Sequence, residues 1–354
     1  MNIYQRRDGR FEGRISRGKH SNGTRKFQYF FGKTKEDVRE KMVKEHRKKS
    51  NYPLTVTQLF GEWFQSIQHR VKESTAANYY LKANKHILPI FGSQSAENLT
   101  DTEIYAFIAS KQQAGLSNRY IADMLSVMKS MFKYAVRTYH IYNPMEYIKM
   151  PRAKAPEIML LDEIEHTKLQ RYIAQNQNKA TLGVALSMTT GIRIGELCAL
   201  QWEDVDLEKR ILTVSKTMQR VQVQGSGKKT KLVITEPKSE SSRRKIPIPK
   251  GMIAFLEKFK GRNSEYIVSS KEKSIEPRAM QYRFQKILKN VNLPSVHFHA
   301  LRHIFASTCV KLGFDVKALS ELLGHSTVEL TLNRYVHSSF EQKIKYMERL
   351  TFNF

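Results

Sequence analysis

Thr190-Gly191-Ile192-Arg193-Ile194-Gly195-Glu196-Leu197 is the stretch on which the reading of this 354-residue chain turns. Gly191 is a helix-stop signal, because a residue without Cβ enters the left-handed conformation that closes a helix. The spacing predicts a helix over Leu182–Met188 that stops there, and a new helix beginning at Arg193. Arg193 and Glu196 stand three apart and share one face of that helix. A carboxylate beside a guanidinium fixes the fork in a geometry suited to bidentate phosphate binding. An ordinary surface ion pair is the plain alternative, and this stretch alone favours it.

Further along, His299-Ala300-Leu301-Arg302-His303 repeats the pattern of two polar groups three apart. Leu301, Ile304, Phe305, Thr308 and Leu312 form an apolar stripe, so His299 and Arg302 are expected on the open side of the helix. His303 lies nearer the stripe and reads as a packed, hydrogen-bonded histidine. Leu322-Leu323-Gly324-His325-Ser326-Thr327-Val328-Glu329 holds a second helix-stop glycine, and Ser326 with Glu329 has capping-box spacing. His325 is thus expected in a tight turn between two helices. Tyr335 follows ten residues later, in Asn333-Arg334-Tyr335. It is one of 16 tyrosines, so packing is its default role.

Between these stretches lie short strand candidates, Ile211–Val214, Leu232–Ile234 and Lys245–Pro249, the last with prolines that suit a sheet edge. Residues 225–229 and 239–242 read as turns. Helices return from about Ala279 to the end. Phe340, Ile344, Met347 and Leu350 recur at helical spacing, predicting a short amphipathic helix that packs on its own domain or on a neighbouring protomer.

Towards the N-terminus, Lys149–Pro156 is a basic linker with two prolines. Val56, Leu59, Phe60, Trp63, Phe64 and Ile67 follow the 3.6-residue period, and Thr55 with Gln58 predicts a cap for that helix. A second helix is expected from Ser74, and a third from Ser117. Pro89 and Gly92 read as breaks between helices. Residues 1–50 carry 16 Lys/Arg against 6 Asp/Glu. Phe11, Gly13 and Ile15 alternate with charged residues, Lys26–Phe31 is aromatic, and Ser21-Asn22-Gly23 marks a turn. A small basic sheet followed by a charged helix over Lys35–Lys49 is expected.

The fold class is therefore mainly α with small antiparallel sheets (α+β). Its parts are a basic N-terminal sheet domain (1–52), a helical domain (53–150) and a mixed domain (157–354).

Sixty Lys/Arg against 33 Asp/Glu give a net charge of +27. Such a surface favours polyanions, since each phosphate it neutralises releases condensed counterions. Nucleic acid is the first partner class. A membrane surface is the weaker one, because no apolar run reaches spanning length and no apolar segment follows the basic start. Cys198 and Cys309 make neither a disulfide framework nor a zinc ligand set, and read as buried thiols in a reducing cytoplasm.

Taken together, the Gly-x-Arg-x-Gly-Glu-Leu box, His-x-x-Arg, Leu-Gly-His and the tyrosine ten residues on resemble the tyrosine recombinases, the phage-type integrases. The resemblance is strong over 157–340. By layout, 53–148 is similar to that family's core-binding domain, and 1–50 more weakly to its arm-binding domain. It implies an active site of Arg193, Lys238, His299, Arg302, His325 and Tyr335, with Glu196 behind Arg193. Lys238 is assigned by its place at a β-hairpin, where Lys228, Lys231 and Lys245 are neighbours. One departure is Ile304, where the family often has a small polar residue.

The implied reaction is attack of the tyrosine oxygen on phosphorus, leaving a 3′-phosphotyrosine and a 5′-hydroxyl. No ATP or metal is expected, and the chain has no Gly-x-x-x-x-Gly-Lys-Ser/Thr loop. The implied partners are double-stranded DNA at core and arm sites, three further protomers in a tetramer, DNA-bending accessory proteins and an excision factor. Arg14, Arg17, Lys26, Lys228 and Lys231 are expected DNA contacts. A nucleoid-associated integrase of a phage or conjugative element in a bacterial cytoplasm is the leading expectation. A chromosome-resolving recombinase, a type IB topoisomerase and a non-catalytic DNA-binding regulator are the alternatives.

Overall fold

The computed structural model describes residues 3–19, 24–47, 54–153, 159–222, 230–236, 240–269, 273–335, 344, 347 and 348, excepting the side chains of 16–19, 43, 44, 46, 47, 222, 240 and 333–335. The chain divides into two compact units, Met1–Ala155 and Pro156–Phe354.

The first unit opens with an antiparallel sheet of β1 (Ile3–Gln5), β2 (Phe11–Lys19) and β3 (Arg25–Gly32) in that order. Helix α1 (Lys35–Arg47) covers one face, where Ile15, Val38 and Met42 are buried against Ile3, Phe11 and Phe30. The alternation of β2 explains this, since Phe11, Gly13 and Ile15 point to one side and Arg14 to the other. On the opposite face the Arg14 guanidinium lies 5.2 Å from the Tyr4 ring and 5.4 Å from that of Phe27. The expected turn at Ser21–Gly23 lies outside the described residues.

The helical part comprises α2 (Val56–Gln68), α3 (Glu73–Lys82), a π-helical turn Ala83–Ile87, α4 (Leu88–Phe91), α5 (Asp101–Gln113) and α6 (Asn118–Tyr139). Thr55 and Gln58 form the expected reciprocal cap. Pro89 does not break the chain: it sits in the first turn of α4, which follows directly on the π-helical turn. Helix α5 was not anticipated, although Thr100 and Glu103 cap it in the same reciprocal way. Trp63, Phe91, Ile104, Phe107, Met124 and Phe132 lie in the core that these helices share.

The second unit is built on α8 (Lys179–Thr190), buried on nearly every side. Around it stand α7 (Glu163–Gln175), α9 (Ile194–Ala199), α11 (Pro277–Asn290) and α12 (His299–Lys311). A sheet of β4 (Val205–Asp206), β5 (Ile211–Val214) and β8 (Arg244–Pro247) leaves β8 at an edge, as its proline requires. Strands β6 (Thr217–Gln222) and β7 (Thr230–Thr235) form a separate antiparallel hairpin; β6 was not foreseen, and the expected turn at 225–229 lies outside the described residues. Helix α10 (Ile253–Lys258) precedes α11, and α13 (Val316–Leu323) and α14 (Val328–Tyr335) complete the unit.

Beyond α14, Ile344 and Met347 are helical and exposed, while Phe340 and Leu350 lie outside the described residues. Cys198 and Cys309 are buried and unbridged. Burial pushes their thiols up to about 12 and about 11, so neither is a thiolate at neutral pH. No helix among the described residues is long and apolar enough to cross a membrane.

Candidate active site

Helix α8 stops at Gly191, whose φ of 65° is left-handed. A Cβ there would meet Phe305 Cδ1 at 2.5 Å and Leu323 Cδ2 at 2.9 Å, so both conformation and space demand glycine. Two residues on, Arg193 takes an extended conformation as the residue capping α9, rather than lying within that helix. Its backbone N–H donates to Glu196 Oε2 at 3.0 Å and its Nη1 to Glu196 Oε1 at 2.7 Å. Its Nη2 donates to the Gly324 carbonyl at 3.0 Å. A third of the Arg193 side chain, 35%, remains exposed, whereas Glu196 retains 3%. The pair is therefore no ordinary surface bridge. Gly195 lets the hairpin approach, since a Cβ there would lie 2.7 Å from the Met218 carbonyl of β6.

Arg302 departs from expectation. It is 2% exposed and among the largest fully buried side chains. Helix α12 packs on α8 and on α13, which encloses Arg302 although His299 at its start stays exposed, while Leu312 of the predicted stripe is 71% exposed. The guanidinium is used at two helix ends. Nη1 donates to the Gly191 carbonyl at 2.8 Å, and Nη2 to the Leu323 carbonyl at 2.5 Å. These are carbonyls that a terminating helix leaves without an internal partner. His299, the first residue of α12, is exposed, and its ring meets that of His303 edge-on at 4.9 Å. His303 is buried, as its position near the apolar stripe implied.

Gly324, with φ 62°, closes α13. His325 follows, its backbone N–H bonded to the Ser320 carbonyl at 3.1 Å and its ring Nδ1 2.7 Å from the Thr331 hydroxyl. Thr331 is fully buried in α14, so the imidazole is tied to the helix that ends in Tyr335. Because α14 starts at Val328, Thr327 rather than Ser326 precedes it, one residue later than the predicted cap. Tyr335 lies one helical turn beyond Thr331, its side chain outside the description. Lys238 and Lys228 lie outside the described residues. Lys231, on β7, and Lys245, on β8, are exposed. In the first unit Arg14 and Lys26 are exposed on the sheet, and Arg17 lies in β2 with its side chain undescribed.

One residue escaped the sequence reading. Arg244, on β8, has 6% of its side chain exposed and holds Glu196 by both oxygens, at 3.2 and 2.9 Å. The signal was the alternation Arg244, Ile246, Ile248, which places an arginine on the inward face of a strand. Burial pushes the Glu196 carboxyl upward, but Arg244 and then Arg193 hold it below its ordinary 4.5. Glu196 is thus an anion at neutral pH between two guanidinium groups. With Arg302, the cluster carries an excess of positive charge around the ends of α8 and α13, an arrangement able to hold a phosphate.

The sequence profile of the Phage integrase family matches residues 160–342, and that of the phage integrase N-terminal SAM-like domain matches 55–112. A protein named tyrosine recombinase XerC-like from Caldanaerobacter subterraneus subsp. tengcongensis is 27% identical, covering 95% of this chain and 94% of its own. The Tn1549 transposon integrase, solved in complex with a circular intermediate DNA, superposes with a TM-score of 0.70 at 24% identity, over 84% of this chain and 100% of that one. The lambda integrase, solved as a tetramer bound to a Holliday junction, gives 0.59 at 20% identity, over 92% and 96% of the two chains.

Proposed function

The chain belongs to the phage integrase family of tyrosine recombinases, enzymes of site-specific DNA strand transfer, and from that premise we propose that it is the integrase of a mobile element, acting through a 3′-phosphotyrosine at Tyr335. One observation carries the residue assignments. Arg193 and Arg302 both bond to the end of α13, immediately before His325, and His325 is bonded into the helix that ends in Tyr335. Four of the six implied catalytic positions are thereby linked, and His299 stands one turn before Arg302 on α12.

In this reading the Tyr335 oxygen attacks phosphorus and the bond to the 5′ oxygen breaks. Arg193 and Arg302 offset the charge that grows on the non-bridging oxygens. Free tyrosine titrates near about 10, so its proton must pass to a base. His299, exposed at the start of α12, is that base. Lys238 delivers a proton to the departing 5′ oxygen, and His325 donates a hydrogen bond to the phosphate. The phosphotyrosine keeps the energy of the broken bond, and a 5′-hydroxyl of a second strand reverses the step to rejoin DNA.

The remaining parts follow the same reading. Residues 53–150 grip the core site and 157–354 cut it. Residues 1–52 bind a separate arm site through the sheet, where Arg14 and Lys26 are exposed and Arg17 lies in β2. Lys228 and Lys231 of the hairpin contact the core DNA. Four protomers assemble on two duplexes, with bending proteins and an excision factor as further partners in a bacterial nucleoid.

Strand exchange tests the reading. A duplex selected from a random-sequence pool by binding to the protein is placed on a plasmid and offered a second, non-identical selected duplex. Joined products are expected. Relaxation of supercoils without joining would indicate a topoisomerase, and exchange restricted to two identical sites would indicate a resolving recombinase.

A further inference from the structure

Arg244 has no part in the roles above, yet its surroundings restrict what it can do. A guanidinium has five N–H donors and no acceptor. Nε of Arg244 donates to the Leu322 carbonyl at 2.6 Å, and Nη1 to Glu196 Oε1 at 3.2 Å and the Ser242 carbonyl at 3.1 Å. Nη2 donates to Glu196 Oε2 at 2.9 Å. A single remaining N–H makes no fork, so Arg244 is not built to receive a phosphate.

A second observation gives the direction of its action. Leu322, Leu323 and Gly324 are successive residues at the end of α13, and their carbonyls accept from Arg244, Arg302 and Arg193 respectively. This is the negative end of a helix, where cations are favoured. Arg244 therefore reaches Arg193 by two routes, through the Glu196 carboxylate and through the α13 terminus. The packing is close: a Cβ on Gly324 would lie 3.1 Å from Cδ and Nη1 of Arg244.

We infer that Arg244 is a positioning residue for strand cleavage, locking the Arg193 guanidinium and the His325 turn into one rigid piece without touching DNA. The inference rests on the reading of Arg193 as a phosphate ligand. A misplacement of about 1 Å in such a ligand is enough to cost roughly 10²-fold in rate.

The test compares Arg193→Ala with Arg244→Lys, which keeps the charge but loses the fork. The probe is the selected duplex, with its scissile phosphate either ordinary or replaced by a methylphosphonate. The methylphosphonate lacks one charged non-bridging oxygen, so a defect in holding that charge shrinks on it, whereas a defect of folding does not. Both variants are expected to slow single-turnover cleavage of the phosphodiester by about 10²-fold. Both penalties are expected to fall to roughly threefold on the methylphosphonate, with DNA affinity unchanged. The double variant is expected to be no slower than Arg193→Ala.

If Arg193→Ala behaves this way but Arg244→Lys is fully active, or equally slow on both substrates, the inference is overturned and the active-site reading stands. If Arg193→Ala itself does not distinguish the substrates, the reading of Arg193 fails and takes the inference with it. Arg244→Met repeats the comparison without charge; should it not fold, Arg244→Lys alone decides.

Discussion

Glu196 is the residue on which the electrostatics of the site depend. It lies 3% exposed between Arg193 and Arg244. Replacing it with glutamine leaves Arg244 buried without its counter-charge, and a broken buried pair typically costs about 3–5 kcal/mol. Urea unfolding of Glu196→Gln at neutral pH should show a loss of that order. The pH dependence has a definite sign. The folded carboxyl titrates below its ordinary 4.5, so its stabilisation is complete above that value and disappears as pH falls through the lowered one. The stability gap between wild type and Glu196→Gln should hold constant from pH 6 to 8 and close in acid.

The proposed role of Lys238 is tested through the leaving group, because a 5′ alkoxide must be protonated to leave, whereas a thiolate need not. An alcohol holds its proton far more tightly than a thiol, which loses it at about 8.5. Lys238→Ala should slow cleavage about 10²–10⁴-fold on an ordinary duplex and recover on one with sulfur at the bridging 5′ position. Recovery in Lys231→Ala or Lys245→Ala instead would move the role to that lysine.

At the scale of elements, the site is made of helix ends. Helix α8 stops at Gly191 and α13 at Gly324, and the arginines satisfy the carbonyls left there. Gly191→Ala would place a Cβ against Phe305 and Leu323 in a conformation that costs an L-residue roughly 1–2 kcal/mol. A drop in melting temperature with a fall in cleavage is expected, and an unchanged melting temperature would show that this close contact is not made.

Both glycines were legible in the sequence, because the need for a left-handed residue is local. So was the Arg193–Glu196 pairing, at three residues' spacing. The burial of Arg302 was not, since it depends on α12 being enclosed by α8 and α13, elements over 100 and about 15 residues away in the chain. Arg244 was missed because an arginine on a strand reads as surface, and only the packing of β8 against α13 and the Glu196 carboxylate on α9 turn it inward. Strand β6 was overlooked because Thr217–Gln222 is largely polar, and its pairing to β7 is what defines it.

At the scale of the whole molecule, a charge of +27 makes DNA binding an ion-exchange process. Affinity for the selected duplex should fall steeply with salt, by about 10³–10⁵ between 50 and 200 mM if some 6–10 phosphates are contacted. Arg14→Ala and Lys26→Ala should each lower the slope by about one if the sheet face binds an arm site. An unchanged slope would remove those residues from the interface.

The central claim, that this recombinase cuts through Tyr335, is tested most directly by trapping. A selected duplex nicked beside its scissile phosphate loses the short 5′-hydroxyl strand and cannot be resealed. Wild type is predicted to accumulate a covalent protein–DNA adduct that survives denaturant, while Tyr335→Phe binds the same duplex with nearly the same affinity and forms none. Adduct in Tyr335→Phe at the wild-type rate would contradict the account.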